Sequence, residues 1–128
     1  MYKIQTDSRY RMIQITLSGF IKPDELERFI TEEQAAAAEM KGLFGSYVTL
    51  VDTTGLKLQS QDILAAFQNF IDNAPHKARK IALVVGQSLS RMQARRLLSN
   101  NRLRTFDTMD EATDWLIEPG IPLENKSA

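Results

Sequence analysis

The run Lys80-Ile81-Ala82-Leu83-Val84-Val85-Gly86 is the stretch on which the architecture of this chain turns. It is uninterrupted in apolar character, too short for a helix of ordinary length, and closed by a glycine. Such a run reads as a strand covered on both faces, the kind found inside parallel sheets. A second stretch upstream, Tyr47-Val48-Thr49-Leu50-Val51, has the same β-rich composition. Between them, Ile63, Ala66, Phe67, Phe70, Ile71 and Ala74 recur at the spacing of one buried helical face, with Ser60 placed to cap the helix and Pro75 to stop it. Strand, helix, strand is the signature of a parallel crossover unit.

Working outward, Tyr2-Lys3-Ile4-Gln5 and residues 10–17 alternate apolar and polar side chains, and Asp7-Ser8-Arg9 suits a hairpin turn between two half-buried strands. Pro23, followed by Asp24 and Glu25, opens a long helix. Its apolar face is Leu26, Phe29, Ile30, Ala37 and Met40, and Gly42 and Gly45 end it. Downstream, Ser88 opens a helix carrying Leu89, Met92, Leu97 and Leu98, and residues 102–106 form a short edge strand. Thr108 with Glu111 makes a capping box for a last helix that buries Ala112, Trp115 and Leu116. The order is β-β-α-β-α-β-α-β-α, an α/β domain with a mixed sheet. We expect one domain over residues 1–118 and a flexible tail over 119–128.

Composition narrows the function classes. The chain has 128 residues, 16 basic and 16 acidic, and no cysteine. A domain of this length folds without a metal or disulfide staple. Without thiols there is no thiolate nucleophile or cysteine metal site. The opening residues lack the apolar run of a signal peptide, and no stretch approaches a membrane span, so we expect a cytoplasmic protein. The balanced charge argues against nucleic acid or membrane as partner. The charge is unevenly spread, however. No acidic residue occurs from Asn73 to Phe106, whereas Lys77, Arg79, Lys80, Arg91, Arg95, Arg96, Arg102 and Arg104 all fall there.

The familiar catalytic arrangements are missing. His76 is the single histidine, read as a solvated loop residue, and neither a dinucleotide nor a P-loop glycine pattern follows a strand. We expect a non-enzymatic protein without cofactor or metal. Two places remain. The first is Asp52-Thr53-Thr54-Gly55, expected as a loop beyond the third strand, running to Gln59-Ser60-Gln61 at the next helix start. Ligands gather beyond carboxyl strand ends, and hydroxyls at a helix start suit a phosphate; ordinary turn and cap roles account for the same residues. The second is a basic face of Arg91, Arg95 and Arg96, with Arg91 and Arg95 one helical turn apart. These arginines suit an acidic partner or simple exposed ion pairs.

With this order laid out, the chain resembles the STAS domain, and within it the SpoIIAA-like (STAS/SEC14-like) group of small bacterial proteins related to anti-sigma-factor antagonists. The resemblance covers most of residues 2–117. It is carried by the opening hairpin, Gly19 ahead of Pro23-Asp24-Glu25-Leu26, Leu50-Val51-Asp52, the Lys80–Gly86 run and Thr105-Phe106-Asp107-Thr108-Met109-Asp110-Glu111-Ala112-Thr113-Asp114-Trp115-Leu116. Antagonists carry a D-S-S-G-L-G-like motif whose serine a partner kinase phosphorylates. Asp52-Thr53-Thr54-Gly55-Leu56 is similar in letters, with Lys57 in place of the last glycine, and Ser60 is nearer in position. The resemblance implies a regulatory module that docks another protein, with Ser60, Thr53 and Thr54 as candidate switch residues and Asp52, Gly55, Gln59 and Gln61 in the docking loop. A homodimer is compatible with a domain of this size. The alternative, from the SEC14-like side, is a binder of a small apolar or lipid-like ligand, held between the Phe67/Phe70 helix and the Phe29/Ile30 helix.

Overall fold

The computed structural model describes residues 1–86, 92 and 101–118. Five strands form one sheet in the order β1-β2-β3-β4-β5, which is also their order along the chain. β1 (Tyr2–Asp7) and β2 (Met12–Gly19) pair antiparallel; β3 (Val48–Leu56), β4 (Lys80–Val84) and β5 (Leu103–Phe106) continue the sheet in parallel. The mixed α/β sheet expected from the sequence is present, with Lys80–Val84 inside it and β5 at its edge.

Two crossover helices, α1 (Pro23–Phe44) and α2 (Gln61–Asn73), cover one face, and α3 (Met109–Leu116) covers the other. Crossovers of one hand between successive neighbouring strands place α1 and α2 on the same side. The strands alternate accordingly. Ile13, Ile15, Leu17, Val51 and Leu83 face α1 and α2, whereas Met12, Val48, Leu50, Ala82 and Val84 face α3. Phe29 anchors the larger core through edge-on contacts with Tyr2, Phe67 and Phe70.

The expected caps are in place except at Gly42, which lies inside α1 rather than at its end. Pro23 is the first residue of α1, and Gly45 ends it in a positive-φ conformation of 80°. Ser60 Oγ accepts from the Ile63 amide at 3.2 Å, and Thr108 Oγ1 from the Glu111 amide at 3.2 Å. The hairpin turn is longer than expected. It spans residues 8–11, with Arg11 at φ 52°, so β2 starts at Met12 and leaves Tyr10 exposed. The expected helix over 88–98 and the tail 119–128 lie outside the described residues.

A larger correction concerns β3. Asp52-Thr53-Thr54-Gly55 is not a loop; it is strand. β3 runs to Leu56, because Asp52 stays paired between Thr16 of β2 and Val84 of β4 while Gly55 and Leu56 pair with Ser18 and Gly19. The register between β2 and β3 shifts between Thr16 and Ser18. Gly55 fits that irregularity: a Cβ there would stand 3.1 Å from the Ser18 Cβ.

Candidate functional site

Asp52, Thr54 and Ser60 stand at the carboxyl end of the parallel strands. Asp52 Oδ1 accepts from both the Thr54 amide (2.9 Å) and the Thr54 hydroxyl (2.7 Å). Thr53 points the other way. It is buried and donates its hydroxyl to the Val84 carbonyl at 2.6 Å, so it ties β3 to β4 across the sheet. Among the candidate switch residues, Ser60 and Thr54 are exposed and Thr53 is enclosed.

Gln59 acts as a staple in this corner. Its Oε1 accepts from the Ile21 amide at 2.9 Å, and its Nε2 donates to the Gly19 carbonyl at 2.9 Å, fixing the start of α2 to the β2–α1 junction. Gln61, the first residue of α2, is exposed. Arg91, Arg95 and Arg96 lie outside the described residues.

The second feature is a cavity of about 130 Å3 between α2, α1 and the sheet. Its wall is mainly apolar: Leu17, Phe29, Phe67, Phe70, Ile71 and Leu83 are among the residues lining it. Lys57 and Gln59 line it past the helix-start side, and Tyr47 and Ala78 line it where β3 and β4 begin. Of the Phe67/Phe70 and Phe29/Ile30 pairs expected to flank any ligand space, Phe29, Phe67 and Phe70 line this one, and Ile30 is not among the residues lining it.

A polar group interrupts the apolar wall near the beginning of β3. Glu33 of α1, Tyr47 just ahead of β3 and Thr49 within it are all buried and all line the cavity. Glu33 Oε1 accepts from Gln34 Nε2 at 2.7 Å. Gln34 is itself clamped to the backbone of His76, accepting from its amide (3.0 Å) and donating to its carbonyl (3.1 Å). His76 is therefore half-buried and bound through its main chain, not a free loop residue. Burial raises the Glu33 carboxyl above the usual range, with the Gln34 hydrogen bond acting weakly in the opposite sense. Burial also pushes the Tyr47 phenol up; the Glu33 charge adds to that and Arg102 opposes it. The Arg102 guanidinium stands close by, with Nη1 on the Ala78 carbonyl (2.8 Å) and Nη2 on the Ile71 carbonyl (3.1 Å).

With this geometry established, the chain is similar to a solved structure over nearly its whole length. That structure is an uncharacterized protein from the DUF3478 family with a SpoIIAA-like fold, from Shewanella loihica PV-4. The superposition has a TM-score of 0.65 at 15% identity and covers 91% of this chain and 92% of the other. The fold is SpoIIAA-like. No family model matches the sequence, and no curated protein matches it.

The SpoIIAA-like fold predicted from the sequence is thus present in three dimensions, and every element of the expected order except the helix over 88–98 is among the described residues. The polar group in the cavity was not predicted, although α1 carries a signal for it. The buried positions of that helix are Leu26, Phe29, Glu33, Ala37 and Met40. A carboxylate in the middle of an otherwise apolar stripe is the mark of a buried acid, and such acids concentrate at functional sites. Tyr47 and Thr49 gave no separate signal, because both suit a buried strand as ordinary β-formers.

Proposed function

We propose that this SpoIIAA-like domain binds a small apolar molecule in the space between α2 and the sheet, and that it works by binding rather than by catalysis. The observation that carries the reading is the cavity of about 130 Å3 walled by Phe29, Phe67, Phe70, Ile71 and Leu83. Natural cores close such spaces, since side chains pack at crystal-like density. An engineered apolar cavity of about 150 Å3 stays dry and takes up benzene or xenon. The space here is of that order and suits a compact ring or a short branched chain.

Toluene is a direct probe. A rise of several degrees in thermal midpoint with saturating toluene, read by calorimetry, is the expected result, because a ligand that binds only the folded state stabilises it by mass action. An unchanged midpoint with toluene and with benzene would overturn the reading. Native mass spectrometry of protein purified from its own host gives a second measurement. A co-purifying small molecule supports a ligand binder, and a bare mass counts against it.

A second reading is a docking module of the STAS type, switched by phosphorylation and addressed to another protein. The observation favouring it is Ser60, exposed at the start of α2 with its oxygen on the Ile63 amide. A phosphate there would add about two negative charges beside the positive end of the helix and change its docking electrostatically. Incubation with host lysate and ATP, followed by mass-spectrometric mapping, should place phosphate on Ser60 or Thr54; both unmodified would count against this reading.

A further inference from the structure

We infer that the ligand carries one uncharged hydroxyl, as an alcohol or phenol does, and that Glu33, Tyr47 and Thr49 receive it. This inference rests on the cavity reading above and names the chemistry of the guest. It starts from three buried side chains, two with hydroxyls that are unpartnered among the described residues and one with a carboxyl only half used. Glu33 is 5% exposed, Tyr47 1% and Thr49 5%, and all three line the one cavity. Among the described residues the Tyr47 and Thr49 hydroxyls have no hydrogen-bond partner, and Glu33 has only Gln34. Gln34 cannot turn to serve the other carboxylate oxygen, because both ends of its amide are held by the His76 backbone. Buried polar side chains almost always have partners, and one left without costs free energy. Two such hydroxyls beside a half-used carboxyl in a single apolar space argue for a guest that completes them.

The charge of the head follows from the surroundings. Burial favours the neutral form of Glu33, so an ammonium head would have to restore an ionised acid in an apolar wall. A carboxylate head would be stripped of water beside that acid. Arg102, which also lines the space, is anchored through two of its nitrogens to the Ala78 and Ile71 carbonyls. His76, Lys57 and Lys77 also line the space, but both lysines are exposed, and the hydrogen bonds of His76 to Gln34 run through its backbone. An uncharged hydroxyl fits best. It offers one donor and two acceptor lone pairs, which matches three groups that each donate or accept.

Phenol and toluene, nearly equal in shape, separate the head from the body of the ligand. Isothermal titration of the full chain with each gives a ratio of affinities. In the Tyr47→Phe variant, and separately in Glu33→Leu, the affinity of phenol relative to toluene should fall by about two- to twelvefold, since each lost hydrogen bond is worth about 0.5–1.5 kcal/mol and tenfold is about 1.4 kcal/mol. Toluene should bind both variants as well as it binds the parent. Thermal midpoints should hold or rise, whereas residues needed for the fold itself would lower them. Thr49→Val is the alternative variant should either of the others fail to fold.

The outcomes are distinct. If toluene binds and the variants leave the ratio unchanged, the hydroxyl inference is overturned and the cavity reading survives. Tighter binding of benzylamine or benzoate than of phenol overturns the uncharged head. If neither phenol nor toluene binds, both readings fail together.

Discussion

Burial raises the Glu33 carboxyl above its ordinary value of 4.5, so the folded chain keeps that proton to higher pH than the unfolded chain does. The sign of the linkage follows: stability from this group is complete below pH 4.5 and declines as the pH climbs through the raised value. The Glu33→Gln variant, which cannot ionise, should lack that decline. Thermal midpoints of parent and variant should therefore differ least near pH 4 and most near pH 8, with the variant higher; equal midpoints across the range would contradict a buried, destabilised acid. Asp24 does not obscure this. Its hydrogen bond to Arg28 holds it below its ordinary value of 3.8, so its contribution fades only at lower pH and with the opposite sign. Thr53 makes a contrasting case. Thr53→Val removes the 2.6 Å hydrogen bond to the Val84 carbonyl and should lower the unfolding free energy by about 1 kcal/mol in urea titration.

At the scale of elements, α2 and α3 were legible because their ends are chemically marked. Ser60 and Thr108 each cap a helix through an oxygen on an amide three residues later. Ser60→Ala should cost about 1 kcal/mol, measured as a lower urea midpoint with an unchanged slope. The carboxyl half of β3 was not legible. Asp, Thr and Gly are turn-formers in isolation, and their pairing is decided by β2 and β4 on either side. Amide hydrogen exchange tests the correction: the amides of residues 52–56 that pair with β2 or β4 should exchange far more slowly than those of an exposed loop. The last helix closes the opposite face with Trp115, which packs against Phe106 and beneath the Lys80 ammonium, 4.4 Å from its ring centre. Trp115→Ala should remove about 2–4 kcal/mol, read as a marked drop in thermal midpoint.

For the whole molecule, the mixed sheet was legible from element order, and crossovers of one hand account for α1 and α2 sharing a face, with no side-chain detail needed. The cavity follows from no such rule. Its existence depends on how far α2 stands from β3 and β4, and apolar residues look the same in sequence whether they fill a core or wall a space. The acid on the α1 stripe was the one sequence signal of the polar group, and it reads as such only once the face it occupies is known. The expectation also looked to the carboxyl ends of the strands, where ligands of open α/β sheets usually gather. The polar group lies near the opposite rim, where β3 begins. Among the described residues no helix is long and apolar enough to cross a membrane.

The clamp of Gln34 on His76 ties the middle of α1 to the connection between α2 and β4. When the cavity beside that clamp is empty, transient parting of the two segments lets water reach the buried Glu33 carboxyl, and a protease sampling the open form should cut there first. Phenol at saturating concentration should slow that digestion, while leaving cleavage in the exposed hairpin turn around Arg9 as fast as before.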